Sequence, residues 1–313
     1  MYLRPVLRGV ATWIPGARRV FRRGTGGSTS ARYCYAVWLR HLVMAHRNGV
    51  NSDPRTVAEL GPGDSLGTGL CAVLTGADRY LAFDVVKYAD SERNLAVFEA
   101  LVELLRRREP IPNESEYPSV DPPLPSYAFP REILSDDRVE RALAPSRLDR
   151  IRSALREGTA GDIEVRYAGG WEDAAVVEPE TVDMILSQAV LEHVENLPQV
   201  YAAMRRWLRP GGVSSASIDF RCHRYAREWN GHWGYSDGMW RLIRGNRPFL
   251  INREPLSTHR RLLRENGFAI VHEQARWNPV GIRRDRLAGG FRHLCDEDLS
   301  TQTVYLLAVK AGL

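Results

Sequence analysis

The residues best placed to do chemistry begin at Glu59-Leu-Gly-Pro-Gly-Asp64. Two carboxylates flank a pair of glycines, and glycine lets the backbone turn sharply and pass close to a ligand. A carboxylate at the end of the preceding strand faces that turn. About twenty residues further on, Asp84 follows the apolar run Tyr80-Leu-Ala-Phe83, where an acid can accept two hydrogen bonds from a ribose diol. A bare G-x-G is equally the pattern of a plain tight turn. The sixth position of the dinucleotide pattern G-x-G-x-x-G is Leu66, with the next glycine one residue late. That spacing argues against a nicotinamide or flavin site. Proton-transfer chemistry would fall to His193, His223 and His232, with Glu192 and Tyr225 behind them.

Four further stretches accompany the glycine turn in fixed order: Asp84, Gly170-Trp-Glu172, Val182-Asp-Met-Ile-Leu-Ser-Gln-Ala-Val-Leu-Glu-His-Val194 and Leu208-Arg-Pro-Gly-Gly212. Together they resemble the motifs of class I S-adenosylmethionine (SAM) dependent methyltransferases, type 11/12-like, from roughly Thr56 to Lys310 with interruptions. The resemblance implies SAM as cofactor. It places Glu59, Gly61, Gly63 and Asp64 at the methionine moiety, Asp84 at the ribose, Trp171 and Glu172 at adenine, and Ser187 and Gln188 at the end of the fourth strand. It implies a Rossmann-like doubly wound α/β fold of seven strands in the order 3-2-1-4-5-7-6, the last antiparallel, with helical insertions. The methyl group of SAM is already activated, so positioning and desolvation are the main tasks, and neither a metal nor a covalent nucleophile is required.

The elements must deliver those residues to one place. Thr56–Leu60 reads as a buried parallel strand, and the helix after Leu66 completes strand, turn and helix. A helix over Ala31–Arg47, capped by Ser30, precedes the first strand and is expected to cover the cofactor. Later strands are expected at 162–167, 181–187, 213–220, 268–277 and 303–310. Asp183 reads as a buried structural acid. Residues 1–50 form a basic arm and covering helix, and residues 51–313 the methyltransferase domain. Two insertions interrupt that domain, at about 88–157 and 221–254. The first holds a Pro-rich stretch, 110–130, that cannot be regular structure, and is expected to shape the substrate side or act as a lid. The second is dense in rings. Tyr225, Trp229, Trp233 and Tyr235 are its expected acceptor contacts, and His223 and His232 its candidate bases.

The chain has 313 residues, 44% apolar, with a formal net charge of +5. No apolar run approaches the roughly eighteen residues a membrane span needs. The four cysteines are scattered without a C-x-x-C, which suits a reducing compartment and a cytoplasmic location. From Met1 to Arg40 there are eight arginines and no Asp or Glu, interspersed with Val6, Val10, Trp13, Ile14, Val20 and Phe21. Such an arm suits peripheral contact with an anionic membrane face, or it packs as a solvated extension. It carries none of the motifs and is expected to be dispensable for cofactor binding. The acceptor class expected is a small molecule or glycan, methylated at oxygen, because tryptophan and tyrosine beside arginine and histidine suit a sugar or aromatic ring. A nucleic-acid methyltransferase is the alternative, disfavoured because no Asn-Pro-Pro-Tyr-like tetrapeptide follows the fourth strand. A non-catalytic SAM-fold partner protein is a third reading, which the retained glycines and Asp84 oppose.

Overall fold

The computed structural model describes residues 4–14, 27–171 and 173–312. An eight-stranded sheet runs through it. Its strands are β1 (Thr56–Leu60), β2 (Arg79–Phe83), β3 (Thr159–Ala160), β4 (Ile163–Ala168), β5 (Val182–Gln188), β6 (Leu208–Asp219), β7 (Phe268–Trp277) and β8 (Thr301–Lys310). Their spatial order is β3-β4-β2-β1-β5-β6-β8-β7. The strands from β4 to β6 are parallel, and β8 lies antiparallel to β6 and β7. The seven expected strands thus stand in the expected order. The eighth is the two-residue β3, an antiparallel addition at the β4 edge.

Alternation along the strands explains the two layers. Val57, Tyr80, Ala82, Met184 and Leu186 face a core shared with α2 (Ala31–Arg47), α3 (Gly67–Leu74), α4 (Ser91–Arg107), α5 (Asp136–Ala142) and α6 (Pro145–Glu157). Their neighbours Ala58, Leu60, Leu81, Phe83 and Ile185 face a second core with α7 (Leu197–Trp207) and α9 (Leu256–Glu265). Asp183 ties the strand starts together as a buried acid. It accepts the N–H groups of Arg55 and Thr56 and pairs with Arg209 at 2.6 Å.

Helix α2 begins at the Ser30 cap, whose oxygen accepts the Tyr33 N–H. Every residue from Cys34 to Ala45 is buried, so α2 is an interior helix, covered on both sides. What covers it is the Pro-rich stretch. Arg40, fully buried, donates to the carbonyls of Pro112 (2.8 Å), Pro122 (3.1 Å) and Val120, and lies 3.4 Å from Glu114. A proline-rich segment lacks many of the N–H groups that a ladder needs, and here its carbonyls converge on one guanidinium. This corrects the expected lid, because none of the described residues between 89 and 170 lines the large cavity.

Near the N-terminus, α1 (Arg4–Ala11) packs on α8 (Asp237–Arg244) of the second insertion. The contact requires glycine: a Cβ on Gly9 would sit 1.9 Å from the Leu242 carbonyl. Thr12 then accepts the Asn246 N–H at 2.7 Å. The basic stretch 15–26 lies outside the described residues. Helix α10 (Asp296–Ser300) leads into β8. Among the described residues no helix is long and apolar enough to cross a membrane.

Candidate functional site

At the carboxyl end of β1 the chain turns through Gly61 (φ 68°) and Gly63 (φ 76°), left-handed conformations that a side chain would strain. The Gly61 N–H donates to Phe83 at 2.8 Å, which ties the turn to the end of β2. A Cβ at Gly61 would also strike Val190 at 2.5 Å. Glu59 lies beneath the turn, 3% exposed. It accepts from the Tyr80 hydroxyl, the Gly69 N–H and Thr68, while burial raises its carboxyl to about 7. Glu59 therefore braces the turn and the start of α3, and its edge reaches the cavity wall.

Asp84 stands at the end of β2, half-buried, on the same wall. Burial lifts its carboxyl to about 6, against the N–H groups of Val86, Gly63 and Val85 that favour the charged form. Asp64 departs from expectation. It is buried and absent from the wall, and the backbone holds it: its N–H donates to Ser28 Oγ at 2.8 Å and its carbonyl accepts from Arg93. Trp171 is buried and lines the cavity. Glu172 lies outside the described residues.

The end of β5 gives one contact where two were expected. Ser187 is 1% exposed behind the wall, whereas Gln188 faces the cavity. After it the chain turns through Ala189 at φ 54°. Gln188 is aimed by a buried relay invisible in the sequence. Its Oε1 lies 3.1 Å from His41 Nε2 on α2, His41 Nδ1 lies 2.6 Å from Ser215 Oγ, and Ser215 Oγ lies 2.8 Å from the Tyr305 hydroxyl. Burial lowers His41 to about 4, so the ring is neutral. A neutral ring with Nε2–H donating to Gln188 accepts at Nδ1 from Ser215. The amide nitrogen of Gln188 is then the end left for the cavity. A buried histidine on an interior helix was the only available signal, and nothing in the sequence links residue 41 to residue 188.

The cavity holds about 1190 Å³, more than the few hundred to about 1,000 Å³ of a single-ligand site. From the glycine turn it continues to His193, His223, Tyr225 and the stretch Asn246-Arg-Pro-Phe-Leu250, with Thr12 of the arm at its wall. His193 ends a short turn after β5, and its ring lies 5.3 Å from that of His223. Burial, with the neighbouring His223, lowers His193 to about 4. His223 Nε2 donates to Asp219 at 3.2 Å, and Arg221 grips the same carboxylate at 2.8 and 2.7 Å. Burial works to raise Asp219, but the hydrogen bonds from His223 and Arg221 outweigh it and hold the carboxyl well below its usual range.

Four expected residues are elsewhere. His232 is 1% exposed, its ring 4.6 Å from Trp233, and burial lowers it to about 3. It does not reach the cavity and cannot serve as the base. Trp233 is fully buried, donates to the Arg253 carbonyl at 2.8 Å and packs with Ile282, Leu287 and Leu294. Tyr235 donates to the Tyr225 carbonyl and stacks on Trp240, and Trp229 is also off the cavity wall. Trp233 thus packs the insertion against residues 282–299, while Tyr235 belongs to a second small cluster around Trp240 and Ile243. Only Tyr225 among the expected acceptor contacts lines the cavity. Asn246 to Leu250 and Thr12 line the wall instead, and no dense run of rings marks them in the sequence.

Residues 143–216 match the family model described as a methyltransferase domain. No curated protein matches the chain. Among solved structures, an S-adenosylmethionine dependent methyltransferase from Mesorhizobium loti is 16% identical, with 88% of this chain and 97% of that chain covered and a TM-score of 0.40. A SAM-dependent methyltransferase from Methanosarcina mazei is 12% identical, with 85% and 96% covered and a TM-score of 0.43. Phosphoethanolamine N-methyltransferase 2 from Haemonchus contortus, in complex with SAM, is 12% identical, with 90% and 57% covered and a TM-score of 0.43. At these scores the likenesses carry no argument of their own.

The residues present fit SAM. Gly61 and Gly63 turn the backbone at the cavity wall in left-handed conformations, a Cβ at Gly61 would strike Val190, and Asp84 presents a half-buried acceptor beside them. The methyltransferase-domain match over residues 143–216, the order of the motifs and the strand order all agree with the resemblance to class I SAM-dependent methyltransferases.

Proposed function

We propose that the protein methylates a hydroxyl of a small-molecule or glycan acceptor. One observation carries the reading: a single cavity runs from the glycine turn and Asp84 to the His193–His223 pair. When bound, SAM supplies an activated methyl group and leaves as S-adenosylhomocysteine. The turn at Gly61 and Gly63 would hold its methionine part, Asp84 the ribose, Trp171 the adenine side, and Gln188 would meet it at the end of β5. The remaining wall is mixed in character. Arg247 lies 5.8 Å over the Tyr225 ring, with Phe249 and His193 beside them. Rings interleaved with hydrogen-bonding groups suit a sugar or a small aromatic. A hydroxyl must shed its proton as it is methylated, and His193 and His223 stand at the end of the cavity where that proton is lost. Asp219 orients His223 for the task.

Mass spectrometry of the purified, denatured protein should find co-bound SAM or S-adenosylhomocysteine. Labelled SAM should then mark sugar or small-molecule acceptors. Label entering RNA alone would overturn the acceptor class, and no bound cofactor and no transfer would favour a non-catalytic partner. His223→Ala should lower kcat by about a hundred-fold, within the range of general base catalysis, with affinity for S-adenosylhomocysteine retained.

A second feature supports a place of work for this enzyme. Leu7, Val10, Trp13 and Ile14 are exposed on and just after α1, joined by exposed Leu242 of α8. With Arg4 and Arg8 exposed among them, this face suits an anionic lipid surface.

A further inference from the structure

Glu192 stands next to the histidine pair and has no role so far. It is 3% exposed, and neither carboxylate oxygen has a hydrogen-bond partner. Nδ1 of His193 is buried and unpartnered as well. Buried polar groups in folded proteins are nearly always satisfied, and an orphaned set calls for an ion or a water. Arg221 does not answer the need, because its guanidinium is committed to Asp219. One ligand-capable atom from each of Glu192, His193 and His223 lies within 4.8 Å of the other two.

The surroundings are those of a ligand set. His223 is held at φ 45° and Arg224 at φ 68°, left-handed positions that non-glycine residues adopt at a cost and that gather at functional sites. Nε2 of His223 donates to Asp219, as metal-ligating histidines donate their second nitrogen to a carboxylate.

We propose that Glu192, His193 and His223 bind one first-row divalent cation, with Asp219 as the outer carboxylate that orients His223. Two imidazoles and one carboxylate suit zinc, manganese or a neighbouring metal better than calcium or magnesium, which prefer oxygen. Three protein ligands leave coordination positions open. Because His193 and His223 line the cavity, those positions suit oxygen donors on the acceptor, such as adjacent hydroxyls of a sugar. This role rests on the acceptor reading above; the site itself does not.

The test uses the full chain without an affinity tag, stripped with chelator and dialysed. Zn²⁺ and Mn²⁺ are titrated separately by calorimetry into the wild type, Glu192→Gln and His223→Ala. S-adenosylhomocysteine is titrated into the same three proteins. The wild type should take up about one cation per chain. Each variant should bind it at least about ten-fold more weakly, the lower bound set by loss of an outer partner, with affinity for S-adenosylhomocysteine unchanged. No uptake by the wild type overturns the site and leaves Glu192 as a protonated acid or a water ligand. Equal uptake by all three overturns it too, since the cation then sits elsewhere. If Glu192→Gln loses S-adenosylhomocysteine binding through misfolding, His223→Ala decides, since its side chain is half-exposed. If the wild type fails to bind S-adenosylhomocysteine but its cation uptake responds to the variants, the cofactor reading fails and the metal site stands.

Discussion

Asp84 shows what a single residue in this sequence can disclose. Its expected role follows from local pattern, an acid at the end of the second strand, and the fold puts it on the cavity wall. Its carboxyl sits near 6 because burial disfavours the charge. The ionised form is the better acceptor for a ribose diol, so affinity for S-adenosylhomocysteine should be full above pH 7 and fall as pH drops through about 6. Asp84→Ala should weaken binding roughly ten- to a hundred-fold at neutral pH and flatten that dependence. Calorimetry showing the same pH dependence in the variant would remove Asp84 from the ribose. His41 marks the opposite case. Nothing near it in sequence predicts that it aims Gln188. Removing one neutral hydrogen bond costs about 0.5–1.5 kcal/mol, so His41→Phe and Gln188→Ala should each weaken S-adenosylhomocysteine binding by about two- to ten-fold. The double variant should be no worse than the poorer single one. Additive losses would mean the two residues act separately. His232 and Trp233 were misread for a related reason. Residue type announces that a ring can stack, but burial decides on what, and burial is tertiary.

At the scale of elements, the strands and most helices were legible because each carries its own period. Strand residues alternate between two cores, and a cap such as Ser30 marks a helix start. The insertions were not legible, because irregular chain is held by contacts from elsewhere. The Pro-rich stretch is the clearest example. Its shape depends on Arg40, on a different helix, which gathers the carbonyls of Pro112, Val120 and Pro122. Arg40→Met keeps much of the packing but strands those acceptors, at about 1–3 kcal/mol for each buried group left unpaired. The variant should unfold at lower urea, with at least about 3 kcal/mol of stability lost, while the folded fraction keeps its affinity for S-adenosylhomocysteine. A loss below about 1 kcal/mol, the scale of one ordinary hydrogen bond, would show that the stretch holds its shape without the guanidinium.

On the scale of the whole molecule, the carboxyl ends of the strands form one side of the cavity and the second insertion the other. The basic arm joins that insertion. Gly9 lets α1 lie directly on α8, and Thr12 reaches the cavity wall. The arm therefore reaches the insertion side of the cavity, which its composition alone did not reveal. Its outward residues are the unusual ones. Trp13 is 65% exposed and Leu7 68% exposed, and arginine is the only charged residue type from Met1 to Arg40. If this face rests on an anionic membrane, the cavity mouth is held near the lipid surface, where a lipid-linked acceptor would present its head group. Each arginine near such a surface contributes about 1 kcal/mol, and the effect fades beyond a Debye length. The protein should therefore sediment with phosphatidylglycerol-rich vesicles at low salt, release as salt rises, and ignore pure phosphatidylcholine. Leu7→Glu with Trp13→Glu replaces apolar surface with the wrong charge at two side chains that are mostly exposed. That variant should lose vesicle binding while its affinity for S-adenosylhomocysteine stays within about two-fold, the scale of an ordinary surface substitution. Equal sedimentation of variant and wild type, or wild-type binding that neither salt nor lipid charge alters, would dispose of the membrane face.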